Sequence, residues 1–178
     1  MQGRVIWVTG LSGAGKTTLC AAVRQQLQAD ACAVVTLDGD VVREIFDGEV
    51  GYTEADRTRH IRRMQRLAKV VSEQGCTVLV AALYSNPELL AWNRAHLPGY
   101  IEVYLRASVA ALARRDSKGL YGAYSRGHMI DVVGCDIPFA EPTRADIVFD
   151  VDELVDIRQM ATAVVERMVA TAAAGASR

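Results

Sequence analysis

Apolar and polar positions follow two rhythms along this chain. Apolar runs at 4–9, 33–37, 77–83, 100–105 and 145–150 read as short strands. Between them, the segments 15–28, 40–46, 54–74, 87–96, 107–115 and 153–171 repeat apolar residues three and four apart, as helix faces do. The strands are nearly continuous in their apolar character, which is how strands covered on both faces look. Strands alternating with helices predict an α/β fold, a five-stranded parallel sheet flanked by helices. No repeat or linker divides the chain, so residues 1–178 are expected to form a single domain. Two stretches break the rhythm. Residues 116–142 hold four glycines and two prolines with no period, which predicts a functional loop of the lid type. The Ala/Gly/Ser-rich end, 172–178, is expected to fray.

Composition narrows the picture mainly by exclusion. Of 178 residues, 51% are apolar and 23% charged, with a net charge of −1. That balance offers no electrostatic footprint for a nucleic acid polymer or an acidic membrane surface. No apolar run approaches the ~20 residues of a membrane span. The first strand begins almost at once, leaving no room for a signal peptide. Cys20, Cys32, Cys76 and Cys135 are widely spaced, as in reduced thiols of a cytoplasmic protein.

The chemistry is concentrated where the first strand ends. Gly10-Leu11-Ser12-Gly13-Ala14-Gly15-Lys16-Thr17-Thr18 fits G-x-x-x-x-G-K-[ST], between the apolar run Val5-Ile6-Trp7-Val8 and the helical start Leu19-Cys20-Ala21-Ala22-Val23. Strand, glycine loop and helix are the context a phosphate-binding P-loop needs. Backbone N–H groups of such a loop converge on an anion, and the helix N-terminus adds partial positive charge. Lys16 is placed to reach β- and γ-phosphates of ATP, and the Thr17 hydroxyl to ligate Mg²⁺.

A second motif closes the next strand, at Leu37-Asp38-Gly39-Asp40 with Arg43 following. Ligands of open parallel sheets bind outside the carboxyl ends of strands, which sets both carboxylates near the P-loop. One is expected to cap the following helix and the other to do chemistry as a base, with Asp40 the chemical one. Thr53-Glu54-Ala55-Asp56 resembles a capping box that opens the longest helix. On that helix Ile61, Met64, Leu67, Ala68 and Val71 share one face, while Arg59, Arg62, Arg63 and Arg66 form an opposite, solvated face. Arg57 projects inward near the helix start, against the dipole, and is expected to face a substrate phosphate or else a carboxylate. His60 reads equally well as a structural histidine or a ligand. The third strand ends without the acidic residue that motor ATPases use for Mg²⁺. Asp131-Val132-Val133-Gly134 matches D-x-x-G of GTPases, but no N-K-x-D follows. Both absences favour a small-molecule kinase.

Together these motifs resemble the adenylylsulfate (APS) kinase family, from Val5 to Asp150. Asp38-Gly39-Asp40-x-x-Arg43 is similar to its D-G-D-x-x-R, and Gly51-Tyr52-Thr53-x-x-Asp56-Arg57 to its G-F-S-x-x-D-R. Arg115-Asp116-x-Lys118-Gly119-Leu120-Tyr121 resembles its lid motif, and Gly134-x-Asp136-x-Pro138-Phe139-Ala140-Glu141-Pro142 its G-x-D-x-P-Y-E-x-P. The resemblance implies a P-loop kinase with a lid segment, ATP and Mg²⁺ as cofactors, and transfer of phosphate to the ribose 3′-hydroxyl of APS. Asp40 would take the hydroxyl proton, and Arg43 and Arg57 would hold phosphate and sulfate. Tyr52 would stack on the base, and Lys118 and Leu120 would close from the lid, with Arg115 on the ATP side. A homodimer is implied as well. The acceptor side departs from the family: His60 stands where it has Asn, and Leu83-Tyr84 where it has Ile-Ser. With Trp92-Asn93-Arg94, these departures resemble APS-kinase-like proteins of surface-polysaccharide pathways, some of which phosphorylate cytidine diphosphoramidate. A non-catalytic ATP-sensing module is the alternative of another class. Retention of Asp40, Arg43 and Lys118 argues against it.

Overall fold

The computed structural model describes residues 3–28, 33–46, 51–116, 118–153 and 155–176. Five strands, β1 (Arg4–Thr9), β2 (Val34–Asp38), β3 (Thr77–Ala82), β4 (Ile101–Arg106) and β5 (Ile147–Asp150), form one sheet. Their spatial order is β2-β3-β1-β4-β5, parallel throughout. The expected α/β architecture with a five-stranded parallel sheet is therefore the one observed. Between the strands lie α1 (Lys16–Gln28), α2 (Gly39–Ile45), α3 (Glu54–Glu73), α4 (Pro87–His96), α5 (Val109–Arg115) and α6 (Leu120–Ser125), and α7 (Ile157–Ala176) follows β5.

Strand order fixes which face each helix covers. The β1-to-β2 crossover runs one way along the sheet, and the β2-to-β3 and β3-to-β4 crossovers run the other. Right-handed crossovers of opposite direction put α1 on one face and α3 and α4 on the other. α7 packs back against α1, and α3 against α4. The central strands β1, β3 and β4 are buried almost end to end, and the edge strands β2 and β5 only half so.

Three expectations need correction. Residues 116–142 are not one featureless loop. They contain the short helix α6 and a turn whose Val132 and Val133 are each 3% exposed. A short helix capped by an aspartate carries no apolar period to read. The last helix starts at Ile157 rather than 153 and continues to Ala176, past the predicted end at 171; alanine has the strongest helix propensity. Residues 177–178 lie outside the described residues, as does Cys32. Leu67 on α3 is exposed, and Gln65 is buried in its stead, donating to Leu89 O at 3.0 Å and Asn93 Oδ1 at 2.7 Å. The contact surface of α3 is turned toward α4, which apolar spacing alone does not reveal. Cys20, Cys76 and Cys135 are free thiols, and among the described residues no helix is long and apolar enough to cross a membrane.

Candidate active site

Register sets the floor of the site. Asp38 pairs with Ala81, which pairs with Val8, so β2 ends level with the entry to the P-loop. Gly10 leaves β1 beside β4, where a Cβ would lie 2.6 Å from Leu105 O. Gly15 turns at φ 95° with open space around it, so glycine is needed there for backbone reasons alone. The Lys16 ammonium curls back to donate to Gly10 O and Leu11 O, both at 2.8 Å. Burial, with Lys118 nearby, lowers its pKa to about 8. A buried ammonium held only by carbonyls is a strong attractor for a polyanion.

Beside the loop, Thr17 donates its hydroxyl to Asp38 Oδ2 at 2.6 Å, while Asp38 Oδ1 accepts from Asp40 N at 2.9 Å. Asp38 is thus the helix cap of α2, as expected, and at the same time a tie to the P-loop. Asp40, freed from capping, projects into the cavity and accepts from Lys118 Nζ at 2.8 Å. That hydrogen bond holds Asp40 below the ordinary carboxylate range and raises Lys118.

A cavity of about 380 Å³ joins these groups to a second half built by α2, α3 and the end of β3. Such a volume is in the range of small-molecule sites. Arg43 and Arg57 both lie over the Tyr52 ring, 4.7 and 5.5 Å from its centroid. Arg57 is nearly buried, as inward projection required, but its partners are carbonyls rather than a carboxylate: Tyr52 O at 2.9 Å and Asp131 O at 2.6 Å. Arg43 donates to Gly51 O at 2.7 Å. Two guanidiniums on one wall repel each other, and burial with Arg43 nearby lowers the Arg57 pKa. His60 reaches Gly39 O through Nε2 at 2.9 Å. Leu83 and Tyr84 close the far wall, with the Tyr84 hydroxyl turned to Glu54 Oε1 at 2.9 Å.

Most predicted site residues therefore share this one cavity: Ser12, Gly13, Gly15, Lys16, Thr17, Thr18, Asp38, Asp40, Arg43, Tyr52, Arg57, His60, Leu83, Tyr84, Lys118 and Leu120 all line it. Gly10 and Ala14 shape the loop without lining the cavity. Arg115 stands apart. It donates to Val151 O at 2.7 Å and borders a separate small cleft with Ser12, Gly13 and Tyr121. The solvated arginine face of α3 is as expected for Arg59, Arg62 and Arg66, while Arg63 packs over the Phe46 ring at 4.5 Å.

Sequence reasoning assigned no part to three residues that brace the site. Asp116 accepts from Tyr121 N and Gly122 N, which starts α6. The Tyr121 hydroxyl donates to Ser12 O at 3.0 Å, tying that helix to the P-loop. The Asp136 carboxylate accepts from Asp131 N and Val132 N, fixing the turn that Arg57 grips. The motif matches at 115–121 and 134–142 include all three residues, but a motif match names a position without saying which backbone group its side chain holds.

A family model described as adenylylsulphate kinase matches residues 2–150. The adenylyl-sulfate kinase of Paraburkholderia xenovorans is 37% identical over 156 residues, 86% of each chain. That of Deinococcus deserti is 39% identical over 152 residues, 85% of this chain and 84% of the relative. The Mycobacterium tuberculosis APS kinase CysC, solved in complex with AMPPNP and APS, superposes with a TM-score of 0.87 at 29% identity, covering 94% of this chain and 98% of that one.

Proposed function

The chain belongs to the adenylylsulphate kinase family, ATP-dependent transferases with a hydroxyl acceptor, and from that premise we propose that it transfers the γ-phosphoryl of ATP to the ribose 3′-hydroxyl of APS. One observation carries this reading: Asp40 stands between the P-loop half and the arginine half of a single cavity. ATP occupies the first half, its phosphates on the loop amides and Lys16. The acceptor occupies the second, its anionic tail at Arg43 and Arg57, its base near Tyr52, with Leu83 and Tyr84 behind it. The acceptor oxygen attacks the γ-phosphorus, the bond to ADP breaks, and the hydroxyl proton passes to Asp40. Asp40 is a carboxylate at neutral pH, its pKa held down chiefly by the Lys118 contact, and its basicity rises when that contact is exchanged.

Lys118 contacts Asp40 through Oδ2, and its transfer to a phosphate would restore the basicity of the carboxylate. Both side chains of the pair are well exposed, 58% and 75%, so the contact is weak and readily exchanged for a phosphate. Leu120 borders the cavity from the 116–142 segment, and Arg115, in the small cleft it shares with Ser12 and Gly13, would lie on the ATP side. The oxygen donors Thr17 Oγ1 and Asp38, 2.6 Å apart beside the loop, fit the hard-ligand preference of Mg²⁺. When bound there with ATP, the ion supplies charge neutralisation at the phosphates.

A second acceptor, cytidine diphosphoramidate, is favoured by one feature. Tyr84 lines the acceptor half where the family has Ser, and its larger side chain favours a pyrimidine over a purine there. The test is ADP release with APS, with cytidine diphosphoramidate and with neither, followed by identification of the phosphorylated product. A 3′-phosphorylated APS as main product is the expected result. Asp40→Asn should lower kcat by about 10²–10⁴ with little change in KM for ATP. ADP release independent of any acceptor, or a mild Asp40→Asn effect, would sink the reading.

A further inference from the structure

One buried polar contact beside Asp40 ties a residue of the cavity wall to the backbone that carries the base. His60 is 4% exposed, and its Nε2 lies 2.9 Å from Gly39 O. A carbonyl only accepts, so Nε2 carries the proton. Burial and the neighbouring Arg43 and Arg63 disfavour the charged ring, although Asp40 acts in the opposite sense. The ring is then the neutral Nε2–H tautomer. Its Nδ1 is enclosed and, among the described residues, has no hydrogen-bond partner. A nitrogen so enclosed cannot serve a ligand in the cavity.

The Gly39–Asp40 peptide is what His60 holds, and it is held at both ends. Its N–H, on Asp40, donates to Asp38 Oδ1 at 2.9 Å, and its C=O, on Gly39, accepts from His60. Asp38 in turn takes the Thr17 hydroxyl through its other oxygen at 2.6 Å. A continuous chain of three hydrogen bonds thus runs from the P-loop to the peptide before the Asp40 Cα and on to α3. Gly39 lies close against β3, where a Cβ would sit 3.2 Å from Ala81 O. Helix α2 spans only Gly39–Ile45, so a helix this short does not fix its own first residues firmly.

We propose that His60 is a positioning residue, which sets the reach of Asp40 toward the acceptor hydroxyl by clamping the Gly39 carbonyl against α3. The inference rests on Asp40 being the base in the proposed phosphoryl transfer. Phosphoryl transfer depends chiefly on placement, and a displacement of about 1 Å can cost about 10²-fold in rate. The loss should therefore appear in kcat, with KM for both nucleotides nearly unchanged.

The experiment combines kinetics with a readout that does not need turnover. Nitrogen-15 NMR of the histidines in the ligand-free protein should show His60 as a neutral ring protonated at Nε2, and a ring protonated at Nδ1 overturns the proposal. His60→Leu should lower kcat about 10- to 100-fold. His60→Gln, whose terminal N–H has about the same reach as Nε2, should recover most of that loss. The same pair is then measured in an Asp40→Asn background, where His60→Leu should have little further effect, because the group it positions no longer accepts a proton. An equal fold-loss in both backgrounds overturns the proposal, as does a loss confined to the KM of the acceptor, which would mark His60 as a substrate contact. A drop in melting temperature that matches the kcat loss in both variants also overturns it, since the role is then only structural. If Asp40→Asn alone keeps full kcat, the assignment of the base has failed instead, and the tautomer result tells that failure apart from a misreading of His60.

Discussion

Burial holds Lys16 near a pKa of about 8 while its ammonium rests on two carbonyls. At neutral pH it is charged but poorly solvated, which favours capture of a polyphosphate. A bound polyanion stabilises the charged form, so nucleotide binding should draw protons from solution as pH rises through 8. About half a proton should be taken up at pH 8, more at pH 9 and little at pH 7. Calorimetry at pH 8 in buffers of different ionisation enthalpy measures this directly, and an observed enthalpy that does not change with the buffer would contradict it. At this scale the sequence was informative: Lys16, Asp40 and Arg57 were each singled out before any geometry was known. What it did not reveal was partners. Arg57 meets the carbonyls of Tyr52 and Asp131, and every residue offers a carbonyl, so composition cannot point to them.

At the scale of elements, the segment 116–142 is anchored at two places and exposed between them. α6 is tied to the P-loop through Tyr121, and the turn at 131–137 is fixed by Asp136 and gripped by Arg57. Met129 and Ile130 between these anchors are exposed, the latter 75%. Hydrogen exchange should therefore slow over 120–130 when both nucleotides bind, while 131–137 is protected even without them. Equal exchange over 120–130 in free and doubly liganded protein would argue against lid closure. Lys118→Ala should lower kcat with little change in melting temperature, because the exposed pair with Asp40 contributes about 1 kcal/mol or less. The 116–142 segment was legible as an irregular, glycine-bearing stretch, but helix α6 was not. Its start is set by the Asp116 carboxylate on Tyr121 N and Gly122 N, and six residues hold too few turns for a period.

For the whole molecule, a buried polar network joins sheet and helices on the far side from the P-loop. Gln65 on α3 donates to Asn93 on α4, whose amide reaches the Tyr100 hydroxyl, and that hydroxyl donates to Glu102 Oε2 on β4 at 3.0 Å. Arg94 joins Glu102 to Asp146 at 3.3 and 3.2 Å, and Arg167 of α7 reaches Asp146 as well. Glu102 is 1% exposed, and burial raises its pKa while Arg94 opposes the rise. Arg94→Met removes that opposition and should cost about 3 kcal/mol at pH 7, or roughly 10 °C in melting temperature. The sign with pH follows. A carboxyl with a raised folded pKa binds more protons folded than unfolded, so stability falls as pH rises through the window between the two values. The deficit of Arg94→Met should therefore shrink as pH is lowered toward 4.5, the ordinary Glu value. A deficit that is the same at both ends of that range would mean the variant loses packing rather than charge balance.

Local signals by themselves determined the sheet, the P-loop, the Asp38 cap and the acidic–basic sides of the site. Apolar runs, glycine spacing and capping residues act within a few positions of one another, and their physics is complete in a short window of sequence. Tertiary structure alone decided the rest. It turned α3 so that Gln65, not Leu67, is buried, and it gave Arg57 the Asp131 carbonyl rather than a carboxylate. It also set His60 against the peptide that carries Asp40. Each of these depends on how far one element slides or rotates against another, and that is fixed by packing across the sheet, where no single stretch of chain holds both partners.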